Sequence, residues 1–456
     1  MQLCHTPGSL SAVFDEPNLI GSAGLVPAAA LAGQVGLSDL ADESVRVPGS
    51  KGCAGAKVMS VILGMVAGAD CIDDMDLLRH GGVDKLFTGV RAPSTLGTFL
   101  RSFTFGHVRQ LDAVAARVLV NLAAAVPDLI GRAQTVMVDV DDTVKAVYGA
   151  HTQGAEHGYT NIRGLNAQIA TVSGPGCAPV IAAARLRRGA AASAHGAVRL
   201  IRDSLATTRR AGVTGPIMVR ADSAYYRHDV IAAITHAQAA FSIGIRMDPA
   251  VRKAIGRIEE SSWVRIDYPQ AVLDPDTGEL VSAAEVAEIP YTAFTSKAHR
   301  HHISARLIVR RIPERNTAKL AAAGQQGLFD VWRYHGIFTN NPLPLVAAEA
   351  AHRGHAIIEQ VFADLKASAL AHLPSKRHTA NSAWLVAATI AYNLTRALGI
   401  SAGGRFAQAE TATVRARLIN TPARISRSAR KHTLHLPRRW PWAQQWQHMW
   451  TTIMTT

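Results

Sequence analysis

Apolar residues recur at three- and four-residue steps in KVMSVILGMVAGADCIDDMDLL and again in TLGTFLRSFTFGHVRQLDAVAARVLVNLAAAV. That is the period of helices with one buried face, so the chain from about Lys51 to Val126 is predicted to be helical. Residues 1–44 are mixed and Gly-rich, an extended lead-in with one or two short helices. Between the two helical runs, RAPSTLGTFLRSF carries Pro93, then Ser94 as a helix N-cap, then Thr98 and Arg101 one turn apart. Two readings stay open: a helix-turn-helix whose second helix enters a DNA groove, or an ordinary bundle with a capped helix.

The texture changes at Gln134. TVMVDVDDT alternates with β-branched residues as a strand does, and a Gly-punctuated stretch, VYGAHTQGAEHGYTNIRG, follows it. NAQIATVSG, APVIAAARLRRG and PIMVRADSAYY read as strands; HGAVRLIRDSLATTRRAG and HDVIAAITHAQA read as helices. Strands in meander, then alternating with helices, predict an α/β fold with a mixed sheet. FSIGIRMD, SWVRIDYPQ, HHISARLIVRRI and GLFDVWRYHGIFTN then read as strands separated by DPDTGE and PERN turns, a β-rich insertion at 241–345. Helix returns in VAAEAAHRGHAIIEQVFADLKAS and TANSAWLVAATIAYNLTRALG. The predicted division is an all-α N-terminal domain at 1–130, a sheet domain at 131–240 and 346–400 around the insertion, and a basic Trp-rich segment at 401–456.

Charge narrows the function. Lys and Arg number 48 against 34 Asp and Glu, a net charge of +14 in 456 residues. An enzyme of small neutral metabolites has no need of that excess; a polyanion such as nucleic acid, or an anionic membrane surface, does. In the tail, Arg405, Arg415, Arg417, Arg424, Arg427, Arg430, Lys431, Arg438 and Arg439 face Glu410 alone. Trp440, Trp442, Trp446 and Trp450 follow, to stack on bases or to pack back on the core. Cys4, Cys53, Cys71 and Cys177 form no C-x-x-C pair, which argues against a zinc ribbon or disulfide scaffold and for thiols in a reducing cytoplasm. No secretion signal and no uncharged apolar run of about 18 residues is read. KAHRHH reads as a solvated strand edge or phosphate contact before a metal site.

Three acidic positions suit catalysis. Asp139 and Asp141 share one face of the strand VMVDVDDT, unless Asp141, Asp142 and Thr143 merely end it in a turn. Asp222 ends the strand of MVRADSAYY, the usual place for catalytic groups in α/β folds, unless it caps a helix. His352, His355, Glu359 and Lys366 share one stripe of a helix, beside the apolar stripe of Ile358, Phe362 and Leu365. Three carboxylates from two strands and a later helix are what two-metal phosphoryl transfer requires, with two Mg²⁺ about 4 Å apart on hard oxygen ligands.

The chain resembles the DDE transposases of bacterial insertion sequences over roughly 50–440. The likeness rests on V-D-V-D-D-T with V-Y-G…Q-G-A…G-Y, on R-A-D-S-x-Y, and on I-E-x-x-F-x-D-L-K with L-P-S…N-S-A-W…Y-N-L. It implies a ribonuclease H-like core with a β insertion before the Glu. It implies Asp141, Asp222 and Glu359 as catalytic residues and ligands of two Mg²⁺, or of Mn²⁺ in their place, with Asp139 as the fallback for the first. The subgroup with Tyr and Arg before the Glu is matched at Lys366, while His352 and His355 stand at the Tyr and Arg positions. DNA contacts are then expected from His352, His355, Lys366, Lys376, Arg377, Arg101, Arg427, Arg430 and Lys431. The resemblance further implies terminal inverted repeats and target DNA as partners, a homodimer on DNA, no membrane, and a cytoplasmic, nucleoid-associated protein. Two rivals remain: a silent DNA-binding descendant, and a haloacid-dehalogenase-like phosphatase, whose first motif Asp139-x-Asp141-x-Thr143 matches, with Asp139 as nucleophile.

Overall fold

The computed structural model describes residues 1, 3–49, 53–158, 160–266, 284–313 and 332–455. The DPDTGE turn, most of PERN, the start of GLFDVWRYHGIFTN, the end of SWVRIDYPQ, Lys51 and Tyr159 lie outside the described residues.

After a short strand β1 (Leu19–Ile20), five helices follow: α1 (Leu25–Gln34), α2 (Leu37–Ser44), α3 (Ala54–Ala67), α4 (Pro93–Arg101) and α5 (Phe105–Ala125). Ser94 does not cap α4. The helix starts one residue earlier, with Pro93 in its first turn and Ala92 before it. Proline serves there because it has no N–H to leave unpaired and its φ is already helical. The side-chain cap falls instead on α5, where Thr104 and His107 bond reciprocally to each other's backbone. α5 turns Val108, Leu111, Val114, Val118 and Leu122 inward.

The α/β part runs β2 (Val136–Ala146), β3 (Glu156–His157), β4 (Arg163–Ser173), β5 (Val180–Arg188), α6 (Ala197–Arg210), β6 (Ile217–Ala221), α7 (His228–His236) and β7 (Ala240–Ile245). Next come α8 (Pro249–Ile255), β8 (Val264–Ile266), β9 (Ala284–Ala293), β10 (Ile303–Pro313) and β11 (Trp332–Thr339). The chain then forms α9 (Leu345–Arg353), α10 (Ile357–Lys366), α11 (His378–Ala402), a hairpin of β12 (Ala423–Ser428) and β13 (Lys431–His435), and α12 (Ala443–Met454).

All of β2 to β11 belong to one mixed sheet. β2 is central: antiparallel to β4 and parallel to β6, with β5 on the far side of β4 and β7 parallel to β6. A mixed sheet flanked by helices is as predicted, and is compatible with a ribonuclease H-like core. FSIGIRMD, predicted as the first strand of the insertion, is β7, paired directly to β6. β11, β10, β9 and β8 then add antiparallel to β7 in turn, so these strands lengthen the sheet across what would be an open edge. β9 and α8 had no sequence prediction.

One apolar core runs from Ile20 to Ile453 and joins helices of the N-terminal region to the sheet. Its axis is α11, which is in contact with α3, α5, β5 and α12. α11 is long and apolar enough to cross a membrane, but 94% of its apolar window is buried inside the protein. The tail packs onto this core. Trp446 is buried, with Nε1 donating to the Leu418 carbonyl at 3.1 Å, and Trp440 Nε1 donates to the Arg417 carbonyl at 3.2 Å. The basic hairpin projects, with Arg424, Arg427, Arg430 and Lys431 exposed.

Trp446→Ala should therefore lose about 3–5 kcal/mol of stability in chemical denaturation. Arg430→Ala should stay within about 0.5 kcal/mol of the parent. Equal effects of the two would contradict the inward packing of the ring.

Candidate active site

The strand β2 continues through Asp141, Asp142 and Thr143 to Ala146, so these residues do not end it in a turn. It carries three acids, and each meets a different environment. Asp139 is fully buried. Arg220, its neighbour across the parallel pairing with β6, donates Nε to Oδ1 at 2.7 Å and Nη2 to Oδ2 at 2.8 Å. His355 Nδ1 donates to the same Oδ1 at 2.9 Å. Both oxygens are thus occupied by resident donors, and Asp139 is withdrawn as the fallback ligand. The same closure removes the phosphatase reading, because a nucleophilic carboxylate must be reachable.

Asp142 points to the other face of the sheet. Arg187 pairs with it at 3.0 Å, the Tyr225 hydroxyl donates to it at 3.1 Å, and Asn166 donates to its Oδ2. Arg187 in turn holds the carbonyls of Ala192, Ser193 and His195. This buried network had no sequence prediction, because its members are far apart in the chain.

Asp141, on the Asp139 face, has no Lys or Arg partner among the described residues. It accepts the Asp142 N–H at 2.7 Å. Burial pushes its carboxyl up to about 6, and the nearby charges of Asp222 and Asp142 add to the rise, against a lowering by the Asp142 N–H and His355. Asp222 follows β6 one step beyond Ala221, which pairs with Val140, so it stands next to Asp141 across the sheet. It also caps a short turn, accepting the Ala224 N–H at 3.0 Å. Its carboxyl is exposed on one side, yet desolvation on its inner side raises it, with Asp142 contributing.

The helix predicted to carry His352, His355, Glu359 and Lys366 breaks at Gly354. α9 ends at Arg353, a single 3₁₀ turn spans Gly354–Ala356, and α10 begins at Ile357. Glu359 is exposed rather than bordering the core. Two contacts fix α10 along β2: His355 at Asp139, and Lys366, whose Nζ donates to the Thr143 hydroxyl at 2.6 Å. The span from 355 to 366 is roughly 16 Å as helix, and that from 139 to 143 roughly 13 Å as strand. Glu359 lies on α10 between these two contacts, on the exposed side of the helix.

His352 is not a phosphate contact. Its Nδ1 is 2.9 Å from the Ser242 hydroxyl, and burial, with the charges of His355 and Arg220, drives its pKa down to about 3. A ring that stays neutral offers no cation to DNA. His355 is likewise turned inward, onto Asp139. The other expected contacts are exposed: Arg101, Lys366, Lys376, Arg377, Arg427, Arg430 and Lys431. Arg377 Nη1 donates to the Arg101 carbonyl at 2.8 Å, which brings the end of α4 beside the start of α11.

A family model described as transposase DDE domain group 1 matches residues 8–456. The chain belongs to this family. No curated protein matches the sequence. The DDE transposases normally use divalent metal ions, and the donors suit one: Asp141 and Asp222 are adjacent hard oxygens whose ionised forms are held back by burial and mutual repulsion, which a cation relieves. They are not drawn into a closed cage with Glu359. Among the described residues, the group whose ligand atoms all lie within 4.8 Å of one another is Asp70, Cys71 and Asp74, in the segment after α3.

Asp141 yields a pH prediction. Its folded pKa, about 6, lies above the usual carboxylate value of 3.8, so its ionisation opposes folding. That cost is absent below the usual value and is complete once pH has risen through about 6. Asp141→Asn should accordingly stabilise the ion-free protein by about 1–2 kcal/mol at pH 7.5 and by little at pH 4. Thermal melts at the two pH values check this; an unchanged or lower melting temperature at pH 7.5 counts against it.

Proposed function

We propose that this chain is the transposase of a bacterial insertion sequence, with Asp141, Asp222 and Glu359 as its catalytic carboxylates on a ribonuclease H-like core. The observation that carries this reading is the pattern of charge on β2. Asp139 and Asp142 are each answered by a buried arginine, whereas Asp141 stands beside Asp222 with no Lys or Arg partner among the described residues. Membership of the transposase DDE family supports a transposase function, and the chemistry proposed for it is cleavage at the ends of an element and joining of 3′-hydroxyls to target DNA.

Mg²⁺ ions on these carboxylates, or Mn²⁺ in their place, would activate the attacking water or 3′-hydroxyl and stabilise the leaving 3′-oxygen. The chain's own residues do the rest. Asp141 in the middle of β2 and Asp222 just past the end of β6 present oxygens from two adjacent strands, a rigid base for in-line geometry. Lys366, held on Thr143 one pleat beyond Asp141, offers a cation to the scissile phosphate. Partial burial and the charge of Lys145 lower its pKa, so a phosphate would favour its charged form. Arg101, Lys376 and Arg377 line one outer track for the backbone, and Arg427, Arg430 and Lys431 on the hairpin form another. Two element ends must be held together, which a homodimer on DNA provides.

The test uses the gene's own flanking DNA, the full chain and Mg²⁺ or Mn²⁺. Metal-dependent nicks at paired inverted repeats are expected from the parent. Asp141→Asn, Asp222→Asn and Glu359→Gln should each abolish nicking, a loss of at least about 10³-fold for an interaction central to the transition state, with DNA affinity retained. Loss of binding in all three would sink the site. Nicks at wild-type rate in any of them would remove that residue. Binding without nicks in the parent would favour a silent descendant. Affinity should also fall steeply with salt, and replacing Arg430 and Lys431 together by Ala should reduce the log–log slope by about 2.

A further inference from the structure

Asp139 and Arg220 lie in the candidate site without belonging to its ion-binding set, and both are almost completely buried. Replacing a buried ion pair by apolar side chains is often neutral, so stability alone is a weak reason for one. The geometry of this pair is directional. Arg220 uses Nε and Nη2 on Asp139, and its remaining Nη1 donates to the Ala351 carbonyl at the end of α9. Asp139 in turn accepts from His355, in the turn that follows. From the next strand, the Ser242 hydroxyl meets His352 at 2.9 Å. Side chains of β2, β6 and β7 therefore grip residues 351–355, immediately before the helix that carries Glu359. The fit is close: a Cβ on Gly354 would stand 2.7 Å from Arg220 Nη1.

We propose that Arg220, Asp139 and His355 form a positioning clamp that sets the rotation and height of α10 against β2, and so holds Glu359 over Asp141 and Asp222. None of the three is itself a catalytic residue. The mechanical part stands on the contacts above; its consequence for the ion rests on the proposed function. α10 also packs Ile358, Val361, Phe362 and Leu365 into the core and accepts from Thr411 at Asp364, but its other polar tie to β2 is Lys366 on Thr143, at the far end. α9 and α10 are joined by a single 3₁₀ turn whose residues stay in the right-handed helical region, so a grip on residues 351–355 is passed directly to the start of α10. The clamp acts through His355 Nδ1, while Nε2 is buried with no partner. This separates the clamp from a direct contact by Nε2, because Asn reproduces the Nδ1 donor and lacks Nε2.

The experiment compares the full-length parent with His355→Ala and His355→Asn, both at a partly exposed turn where the fold should survive. Amide exchange reads the clamp without any ion. In His355→Ala the amides of 357–366 should exchange about tenfold faster, with β2 and β6 unchanged, and His355→Asn should stay within about twofold of the parent. Bound Fe²⁺ with ascorbate and peroxide reads the consequence. Backbone cuts near Asp141, Asp222 and Glu359 are expected in the parent and in His355→Asn, with the cut near Glu359 lost in His355→Ala. Parent-like exchange in His355→Ala, or equal loss of the Glu359 cut in Ala and Asn variants, overturns the clamp. A parent with no cuts near Asp141 and Asp222 overturns the ion site instead, and exchange then decides the clamp by itself.

Discussion

A carboxylate placed in the middle of a sheet must have its charge answered, and the centre of this protein is organised around that requirement. β2 carries three acids within four residues. Each of the two outer ones is met by a buried arginine from a different strand, Asp139 by Arg220 of β6 and Asp142 by Arg187 of β5. Those arginines do more than neutralise. Arg220 reaches on to the end of α9, and Arg187 reaches on to the loop before α6. Each ion pair thereby ties a flanking segment to the central strand. Only at Asp141 is the charge left without such a partner among the described residues, and there a second acid stands beside it.

Much of this was legible in the chain. The alternation around Asp139 and Asp141 identified a strand, the apolar runs identified the helices of the N-terminal region, and the acids of the family motifs fell on the elements expected of them. What period alone cannot do is separate Asp139 from Asp141, because residues two apart share a face. The deciding partner was nonetheless within a motif already noticed. Arg220-x-Asp222 on one strand lies in parallel register with Asp139-x-Asp141 on the other, so the arginine answers the first acid and the aspartate confronts the second. Reading the two spacings together, rather than each acid by itself, would have identified the pair.

Other features were not legible, for separate physical reasons. The break at Gly354 sits inside an Ala-rich run whose helical period continues through it, and what distinguishes the position, Arg220 packed against the glycine, is a tertiary contact. The Asp142 network joins residues from 142 to 225, so no local window contains it. The insertion looked separate because its first strand was taken from the core. In the fold, β7 has one neighbour in β6 and needs a second, and β11 supplies it. The tail's tryptophans sit among arginines in the sequence, but their rings serve the core, while the charge is carried outward on the hairpin.

These placements resolve into a division of labour between charge inside and charge outside. The exposed basic side chains on α4, α10, the start of α11 and the hairpin are free to meet a polyanion, and none is needed to neutralise the carboxylates of β2. The buried arginines are committed to individual acids and to the backbone beyond them, and none is free to meet DNA. Had the arginine stood two residues later, in the place of Asp222, it would have faced Asp141 instead and filled the place where a cation is wanted. Its actual position closes the neighbouring acid, and through Ala351 and the turn at His355 it draws the Glu359 helix toward the open one. An uncompensated pair of acids costs stability in the ion-free protein, and that cost is tolerable only because the surrounding charges are already satisfied. The open site is thus as much a product of what closes Asp139 and Asp142 as of Asp141 and Asp222 themselves.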